Sequence, residues 1–373
     1  MRGPVRVLEV LGRSAGGIGR HVALVAGALN SAELDVDIAG PPDLTVAMPR
    51  AVIPVEIPGG VLGHLRAVAR LRSIVHEGGY AVVHAHGLRA GIDAGLACRR
   101  ARARCLLSVH NIVRPDVQGR GKALFYRWAE PLSVRLSDKT FAASEDMARH
   151  LRTVAGGAAA KIEVLYLGIE DAPSVARAAE EVRAEASVPE GAHMVVTAAR
   201  LHPQKNLPVM LAALRTLTSG QAQKKLDVYL VVLGEGPERQ RLEAQAQAMG
   251  VDGRVRWMGF RSDISDFLAA ADVFCLSSNW EAVPLAIKEA VQVGTPVVST
   301  DVGGVDELIS DRSSGRLVPK GDAGALASAL AEVLSSPEIG ARYVERARID
   351  LQRRFSTERM LERLREEYRW AAR

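Results

Sequence analysis

Arg200 and Lys205 are two cationic side chains whose spacing suits chemistry on a phosphate. They lie in the segment ARLHPQKNL, residues 199–207, which follows a predicted strand and precedes a predicted helix. The free N–H groups of a helix N-terminus, flanked by two fixed cations, suit an anionic diphosphate. The segment therefore predicts a diphosphate site early in the second half of the chain.

Glu281 and Glu289 form a pair of carboxylates that are eight residues apart, with Val283, Pro284 and Leu285 between them. Proline is well suited to the first turn of a helix, so Glu281 is predicted in the preceding loop and Glu289 on the second helical turn. Carboxylates accept hydrogen bonds from paired sugar hydroxyls. Two solvent-facing glutamates are the simpler alternative.

Two glycine-rich turns and one histidine are further candidates. Gly16 and Gly17 follow the first predicted strand and open a helix, a place where backbone N–H groups can meet an anion. Neither this turn nor the one at Gly234 has the third glycine of a dinucleotide fingerprint, so a plain strand–helix turn is the alternative. His110 ends a predicted parallel strand, and such strand ends point toward ligands.

Several other motifs are weak evidence for a catalytic or metal site. The GxSxG match at residues 12–16 follows the first strand, too early for a hydrolase nucleophile elbow. The pairs Asp35/Asp37 and His84/His86 lie in predicted strands and are poor ligand sets alone. The three cysteines form no CxxC pair, which argues against a disulfide framework or structural zinc site, so we predict reduced thiols and no metal centre.

Short apolar runs alternate with helical patterns along the chain, which predicts parallel sheets covered on both faces. The strands predicted in the first half are 5–11, 34–39, 52–57, 81–84, 105–109, 140–143 and 162–165, and the helices are 17–29, 61–76, 121–137 and 145–154. The strands predicted in the second half are 194–198, 226–233, 255–257, 273–276 and 296–299, each followed by a helix.

The alternation is interrupted at residues 168–190, where a turn-rich segment precedes a polar helix predicted over 175–185. We therefore predict two doubly wound α/β domains, with ligands in a cleft between the carboxyl ends of their strands. The last stretch, 356–373, reads as one amphipathic helix with a Ser-Thr-Glu cap signal.

The positive charge lies in the first half of the chain. Residues 1–170 carry 22 basic and 15 acidic residues, against 26 and 28 in residues 171–373. A basic cluster at 99–139 includes the aromatic segment around Trp128, which suggests an anionic partner such as a phosphate or a lipid surface. The alternatives are a solvated face for the charges and the core face of a helix for the aromatic residues. No apolar run could span a membrane, the N-terminus is too short and charged for a signal peptide, and no nucleic-acid module is present.

Taken together, ARLHPQKNL, GEGPER and the segment FLAAADVFCLSSNWEAVPLAIKEAVQVGTPVVSTDVGGVDELI resemble the retaining nucleotide-sugar glycosyltransferases of family four. The amino half is similar through GGIGRHV, HAHG, SVHN and AASEDM. The resemblance implies a GT-B fold of two Rossmann-like domains, with the last helix crossing back to the first. It assigns residues 1–170 plus 356–373 to acceptor binding and residues 171–355 to donor binding.

The resemblance also implies residue roles. Arg200 and Lys205 would hold the donor diphosphate, Glu289 the ribose hydroxyls, and Glu281 the hydroxyls of the donor sugar. His110 would lie near the transferred sugar. The expected catalytic residues are therefore His110, Arg200, Lys205 and Glu281, and the expected donor-binding residues are Gly16, Gly17, Arg200, Lys205, Gly234, Val283, Pro284, Leu285 and Glu289.

The expected function is metal-independent, cofactor-free transfer of a sugar from a UDP- or GDP-sugar to a hydroxyl of an anionic, lipid-linked or phosphorylated acceptor in cell-envelope synthesis. The expected location is the cytoplasm, including the inner face of the membrane. A GT-B sugar-nucleotide epimerase and a non-catalytic sugar-nucleotide-binding protein are the alternatives. The sequence departs from the family at Ala282 and Val283, which leaves the donor sugar open.

Overall fold

Parallel strands form two sheets, each in a separate unit of the chain. The computed structural model describes residues 3–13, 17–44, 46–57, 60–99, 101–111, 120–169, 173–219 and 225–373. The first unit comprises Met1–Gly168 and Phe355–Arg373, and the second comprises Ile169–Arg354. The predicted site residue Gly16 lies outside the described residues.

The first unit contains a seven-stranded sheet with the order β3-β2-β1-β4-β5-β6-β7. Its strands are β1 Val5–Leu11, β2 Leu34–Gly40, β3 Val52–Pro54, β4 Val82–His86, β5 Arg104–Val109, β6 Lys139–Ala142 and β7 Ile162–Val164. Its helices are α1 Gly17–Leu29, α2 Val61–Gly78, α3 Leu88–Cys98, α4 Arg120–Leu136 and α5 Glu145–Ala155, followed by a 3-10 turn at Gly156–Lys161. All pairings between neighbouring strands are parallel.

The second unit contains a six-stranded sheet with the order β10-β9-β8-β11-β12-β13. Its strands are β8 His193–Ala198, β9 Val228–Leu233, β10 Val255–Gly259, β11 Val273–Leu276, β12 Val297–Thr300 and β13 Arg316–Val318. Its helices are α6 Ala179–Glu185, α7 Leu207–Ser219, α8 Arg239–Ala248, α9 Ile264–Ala270, α10 Leu285–Val293, α11 Ala323–Ser335 and α12 Pro337–Arg354, with 3-10 turns at Pro203–Lys205 and Asp252–Arg254.

The sequence prediction of helix 175–185 is wrong at its start, because α6 begins only at Ala179. The backbone N–H groups of Ala176 and Arg177 donate to Oδ1 of Asp266, at 2.7 and 3.4 Å. These side-chain bonds hold the segment that precedes α6 against α9.

The final helix, α13 (Thr357–Ala371), packs onto the first unit, as the family resemblance implied. Its apolar residues recur at helical spacing, and Met360, Leu364 and Tyr368 join the core formed by α1 and the central strands. The hydroxyl of Ser356 caps the helix by accepting from the N–H of Arg359 at 3.3 Å.

We expect Leu364→Ala to destabilise the protein by about 2–5 kcal/mol, because it leaves a cavity where a fully buried side chain packs. Glu362→Ala, on the exposed side of the same helix, is the control and should change the free energy of unfolding by less than about 0.5 kcal/mol. Urea unfolding of both variants measures the difference. Equal, small effects would contradict docking of α13 onto this core.

Candidate active site

The candidate site of the second unit lies where the order of strands in the sheet reverses. The chain runs outward from β8 to β9 and β10, and then returns to the other side of β8 with β11. In open α/β sheets the loops on either side of such a switch point diverge and leave a crevice at the carboxyl ends of the strands. The segments after β8 and β11 carry Arg200, Lys205 and Glu281.

The loop after β8 is fixed to the loop after β11 by hydrogen bonds. The Ser277 hydroxyl donates to the carbonyls of Lys205 and Asn206, at 3.0 and 3.1 Å. The N–H of Asn279 donates to the carbonyl of Gln204 at 2.8 Å. Because these bonds hold backbone atoms, they fix the backbone from which the long Lys205 side chain extends.

Lys205 and Glu281 form an ion pair across these two loops. Nζ of Lys205 lies 2.5 Å from Oε1 of Glu281, which also accepts from the Ser278 hydroxyl at 2.6 Å. The Glu281 side chain is only 7% exposed and that of Lys205 is 20% exposed. A Cβ at Gly303, where φ is +56°, would lie 1.7 Å from the Glu281 carbonyl oxygen, so only glycine allows this approach.

A cavity of about 460 Å³ lies at the same edge of the sheet and is lined by Arg200, Gly234 and Glu289 among others. Gly234 has a φ of +133°, and a Cβ there would lie 2.1 Å from the Ala199 carbonyl oxygen. Glycine therefore allows the loops after β8 and β9 to meet. The cavity wall also includes Phe260, which is 78% exposed, a residue that the sequence analysis missed.

The structure thus brings the predicted donor residues into two neighbouring groups in the second unit. Arg200, Gly234 and Glu289 line the cavity, while Lys205 and Glu281 form the ion pair. The predicted trio Val283, Pro284 and Leu285 forms the entry to α10, with Pro284 in extended conformation immediately before the helix. That arrangement places Glu289 on the second turn, as the position of the proline predicted.

The first unit has its own cluster of polar side chains at a switch point, between β1 and β4. Glu9 on β1 is buried, and its Oε2 lies 2.6 Å from Nε2 of His86 on β4. Nδ1 of His86 lies 3.0 Å from Nε2 of His110, which follows β5. The structure therefore places the predicted residue His110 at the end of a chain of hydrogen bonds that begins at a buried carboxylate. Gly17, from the predicted glycine turn of this unit, opens α1.

Tyr368 on α13 and Ser108 on β5 complete the cluster. The Tyr368 hydroxyl lies 2.5 Å from Oε1 of Glu9 and 2.7 Å from Nδ1 of His84. Nε2 of His84 is bonded to the Ser108 hydroxyl at 2.8 Å. Glu9 and Tyr368 were missed at the sequence level. The available signal was an acidic residue between apolar neighbours in β1, because a buried carboxylate needs partners.

Burial and neighbouring charges shift the pKa values in this cluster. Bonds to His84 and His86 outweigh burial and hold the pKa of Glu9 well below its usual range. Burial lowers the pKa of His86, and burial with repulsion from His86 and His21 lowers that of His110 still further. The cluster therefore combines a charged carboxylate with neutral imidazoles at His86 and His110 near neutral pH.

Two overlapping sets of described residues come close enough to hold a metal ion, namely His21/His86/His110 and Glu9/His84/His86. The second set is already joined by the hydrogen bonds described above, and in the first set His86 and His110 bond to each other. The pair Asp35/Asp37 binds Arg50, at 2.6 and 2.9 Å.

Comparison with known proteins gives a match for each unit. Residues 15–172 match the family described as Glycosyltransferase Family 4, and residues 178–350 match Glycosyl transferases group 1. The phosphatidyl-myo-inositol mannosyltransferase of Mycolicibacterium smegmatis is 27% identical over 89% of this chain and 84% of its own. The lipopolysaccharide core biosynthesis glycosyltransferase LpsE of Rhizobium meliloti is 35% identical, but the match spans only about half of each chain, 47% of this one and 49% of LpsE.

Solved structures with the same fold include Anabaena HepE in complex with UDP and glucose, with a TM-score of 0.80 and 22% identity over 97% of this chain and 99% of HepE. The sucrose-phosphate synthase of Thermosynechococcus elongatus has a TM-score of 0.82 and 22% identity over 99% of both chains. Each half of the chain therefore matches a glycosyltransferase domain family, and the chain has the GT-B fold. Within the described residues, no helix has the length and apolar character needed to cross a bilayer.

We predict that stability falls as the pH is lowered from 7 to 5.5. The pKa values of His86 and His110 are depressed below 6.5, so the unfolded state binds protons that the folded state does not bind. Below pH 6.5, each of the two histidines lowers the free energy of unfolding by up to about 1.4 kcal/mol for every pH unit. The stabilisation from Glu9 is lost only below its ordinary pKa of 4.5, outside this window.

Urea unfolding at several pH values measures how steeply the free energy of unfolding changes with pH. In the His110→Asn variant this slope should be smaller by the contribution of one proton. The exposed His76→Asn, in the same unit, is the control and should leave the slope unchanged. A wild-type stability that does not vary between pH 7 and 5.5 would contradict neutral, buried imidazoles.

Proposed function

We propose that the chain is a retaining, metal-independent glycosyltransferase that takes its sugar from a nucleotide-diphosphate sugar with a uracil or guanine base. The observation that carries the proposal is the Lys205–Glu281 ion pair beside the cavity lined by Arg200 and Glu289. It supplies two cations for a diphosphate and two carboxylates for hydroxyls at the switch point of one sheet. Structures of HepE with UDP and with UDP-glucose support a donor of this class.

In this proposal the cavity receives the nucleotide. Glu289 accepts from the ribose hydroxyls, and exposed Phe260 offers an aromatic face on which the base can stack. Arg200 and Lys205 hold the diphosphate, and Glu281, oriented by Lys205 and Ser278, accepts from hydroxyls of the sugar. No further cofactor is needed.

The proposed reaction exchanges one bond at the anomeric carbon for another. The bond from that carbon to the diphosphate oxygen breaks, and the acceptor oxygen bonds to the carbon from the same face. The acceptor proton passes to the leaving diphosphate oxygen, so charge and atoms balance and the anomeric configuration is retained. Arg200 and Lys205 stabilise the negative charge that develops on the leaving group, the part a divalent ion would otherwise take.

We further propose that the acceptor is anionic and is met at a membrane surface on the cytoplasmic side. Relatives named for such substrates include the phosphatidyl-myo-inositol mannosyltransferase and the D-inositol 3-phosphate glycosyltransferase of Kribbella flavida, 28% identical over 76% of this chain and 69% of its own. The basic character of the first unit supports an acceptor-binding role for it.

The residues proposed for this contact are the apolar side chains Leu62 and Leu65 on α2, Leu96 on α3, and Trp128 and Leu132 on α4. All five side chains are exposed, Trp128 to 71%. Helix α3 packs against both α2 and α4, so the three helices lie side by side. Because its side chain is 71% exposed, Trp128 does not belong to the core. Exposed aromatic and aliphatic side chains beside arginines are typical of an interfacial surface.

Arg200→Ala and Lys205→Ala should each lower kcat by about 10²–10³-fold, because each removes charge stabilisation at the leaving group. Initial rates with a sugar nucleotide, measured in EDTA and with circular dichroism to confirm folding, test this. Arg241→Ala is the matched control, since Arg241 is an exposed arginine of the same unit paired only at the surface with Glu238. Near-wild-type rates in both variants, or a wild-type rate abolished by EDTA and restored by Mn²⁺, would refute this leaving-group chemistry.

The full chain should sediment with anionic vesicles at low salt and release as salt rises, since each basic residue near an anionic bilayer contributes about 1 kcal/mol. The double variant Leu62→Ser/Leu65→Ser should bind less, whereas Ile349→Ser, an exposed aliphatic residue of the second unit, should bind as wild type does. If neutral vesicles bind equally well, or the double variant is unaffected, this surface is not the contact.

A further inference from the structure

Glu9 determines where the protons lie in the histidine chain of the first unit. Its side chain is fully buried, and its two closest partners are the Tyr368 hydroxyl on Oε1 and Nε2 of His86 on Oε2, whereas Nδ1 of His84 lies farther away, 3.4 Å from Oε2. An ionised carboxylate can only accept hydrogen bonds. Both partners must therefore donate, so Nε2 of His86 carries a hydrogen.

The proton on Nε2 of His86 fixes the next bond of the chain. A neutral imidazole with a hydrogen on one nitrogen has a lone pair on the other, so Nδ1 of His86 is an acceptor. Nε2 of His110 lies 3.0 Å from that atom and must donate to it. The hydrogen of neutral His110 is then used, and its Nδ1 is left with a lone pair.

That Nδ1 is buried and has no hydrogen-bond partner among the residues that the structure describes. A buried acceptor without a donor is unfavourable, and such atoms in folded proteins call for a specific explanation. A hydroxyl group from a bound molecule would supply the missing donor. A phosphate oxygen would not, because it is itself an acceptor and would meet the lone pair with repulsion.

We propose that Glu9 and His86 are positioning residues that hold His110 as its Nε2–H tautomer, so that Nδ1 of His110 accepts a hydrogen bond from a substrate hydroxyl. The proposal rests on the transferase function above and deepens it, since it makes this position selective for a sugar hydroxyl over a phosphate. The arrangement resembles the role of a buried carboxylate that fixes a histidine tautomer in serine proteases.

The tautomer can be measured directly in the full chain, without substrate, by side-chain ¹⁵N–¹H correlation NMR at pH 7.5. We expect His110 to show a protonated Nε2 and an unprotonated Nδ1. An Nδ1–H tautomer or a doubly protonated ring in the wild-type protein would overturn the relay. Because no substrate is present, this NMR measurement of the tautomer does not depend on whether sugar transfer is detected. Absence of transfer from every sugar nucleotide would refute the proposed function instead.

Glu9→Gln tests the carboxylate at nearly constant shape. An amide can present either its oxygen or its NH₂ to His86, so the His110 tautomer should no longer be fixed and its ¹⁵N signals should change. We expect kcat/KM to fall roughly 10- to 100-fold while circular dichroism is unchanged. Retention of the wild-type ¹⁵N pattern, or a changed pattern with a wild-type rate, would overturn the proposal.

Two further variants separate the relay from simple loss of packing. Tyr368→Phe removes the donor to Oε1 but leaves the carboxylate bonded to His86, so the His110 tautomer should persist; its loss would contradict control by Glu9 alone. Glu33→Gln is the matched control, because Glu33 is an exposed glutamate of the same unit that pairs with Arg369 of α13. It should leave both the tautomer and the rate unchanged.

Discussion

The constraint on which the second unit depends is the junction of two parallel strands at the point where their order reverses. The loops after β8 and β11 must leave this point in different directions, yet Ser277 binds the backbone at Lys205 and Asn206. That bond allows Lys205 and Glu281 to approach to 2.5 Å although 76 residues separate them in sequence. Truncating one partner of so enclosed a pair would leave the other charge uncompensated, which is costly.

The first unit uses the same topological position for different chemistry. Its switch point between β1 and β4 holds a buried carboxylate and neutral imidazoles rather than an ion pair between a lysine and a glutamate. Tyr368 bonds to Glu9, so α13, which follows the second unit in the chain, contributes directly to this cluster. The same topological position therefore holds an ion pair beside a cavity in the second unit and a cluster of one carboxylate and several histidines in the first.

Much of this could be predicted from the sequence because the strongest signals are local. β1, α1 and β11 have the predicted bounds, since buried parallel strands are largely apolar and α1 has a clear helical period. β13 was missed because three residues that include Arg316 give no strand pattern. Glu9, Phe260 and Tyr368 were missed because their roles come from neighbours distant in sequence, which no spacing rule reports. The predicted spacing of Glu281 and Glu289 succeeded because one proline fixes where α10 begins.

The central claim is that the second unit binds sugar nucleotides and slowly cleaves them. The most direct test measures thermal shifts of the full chain with a panel of UDP-, GDP- and ADP-sugars, followed by ³¹P NMR. At 100 times its dissociation constant a true donor should stabilise the protein by about 2.7 kcal/mol and raise its melting temperature. One UDP- or GDP-sugar should do so and slowly release its nucleoside diphosphate in the absence of acceptor. If no sugar nucleotide stabilises the protein and none is cleaved, the assignment of this site is wrong.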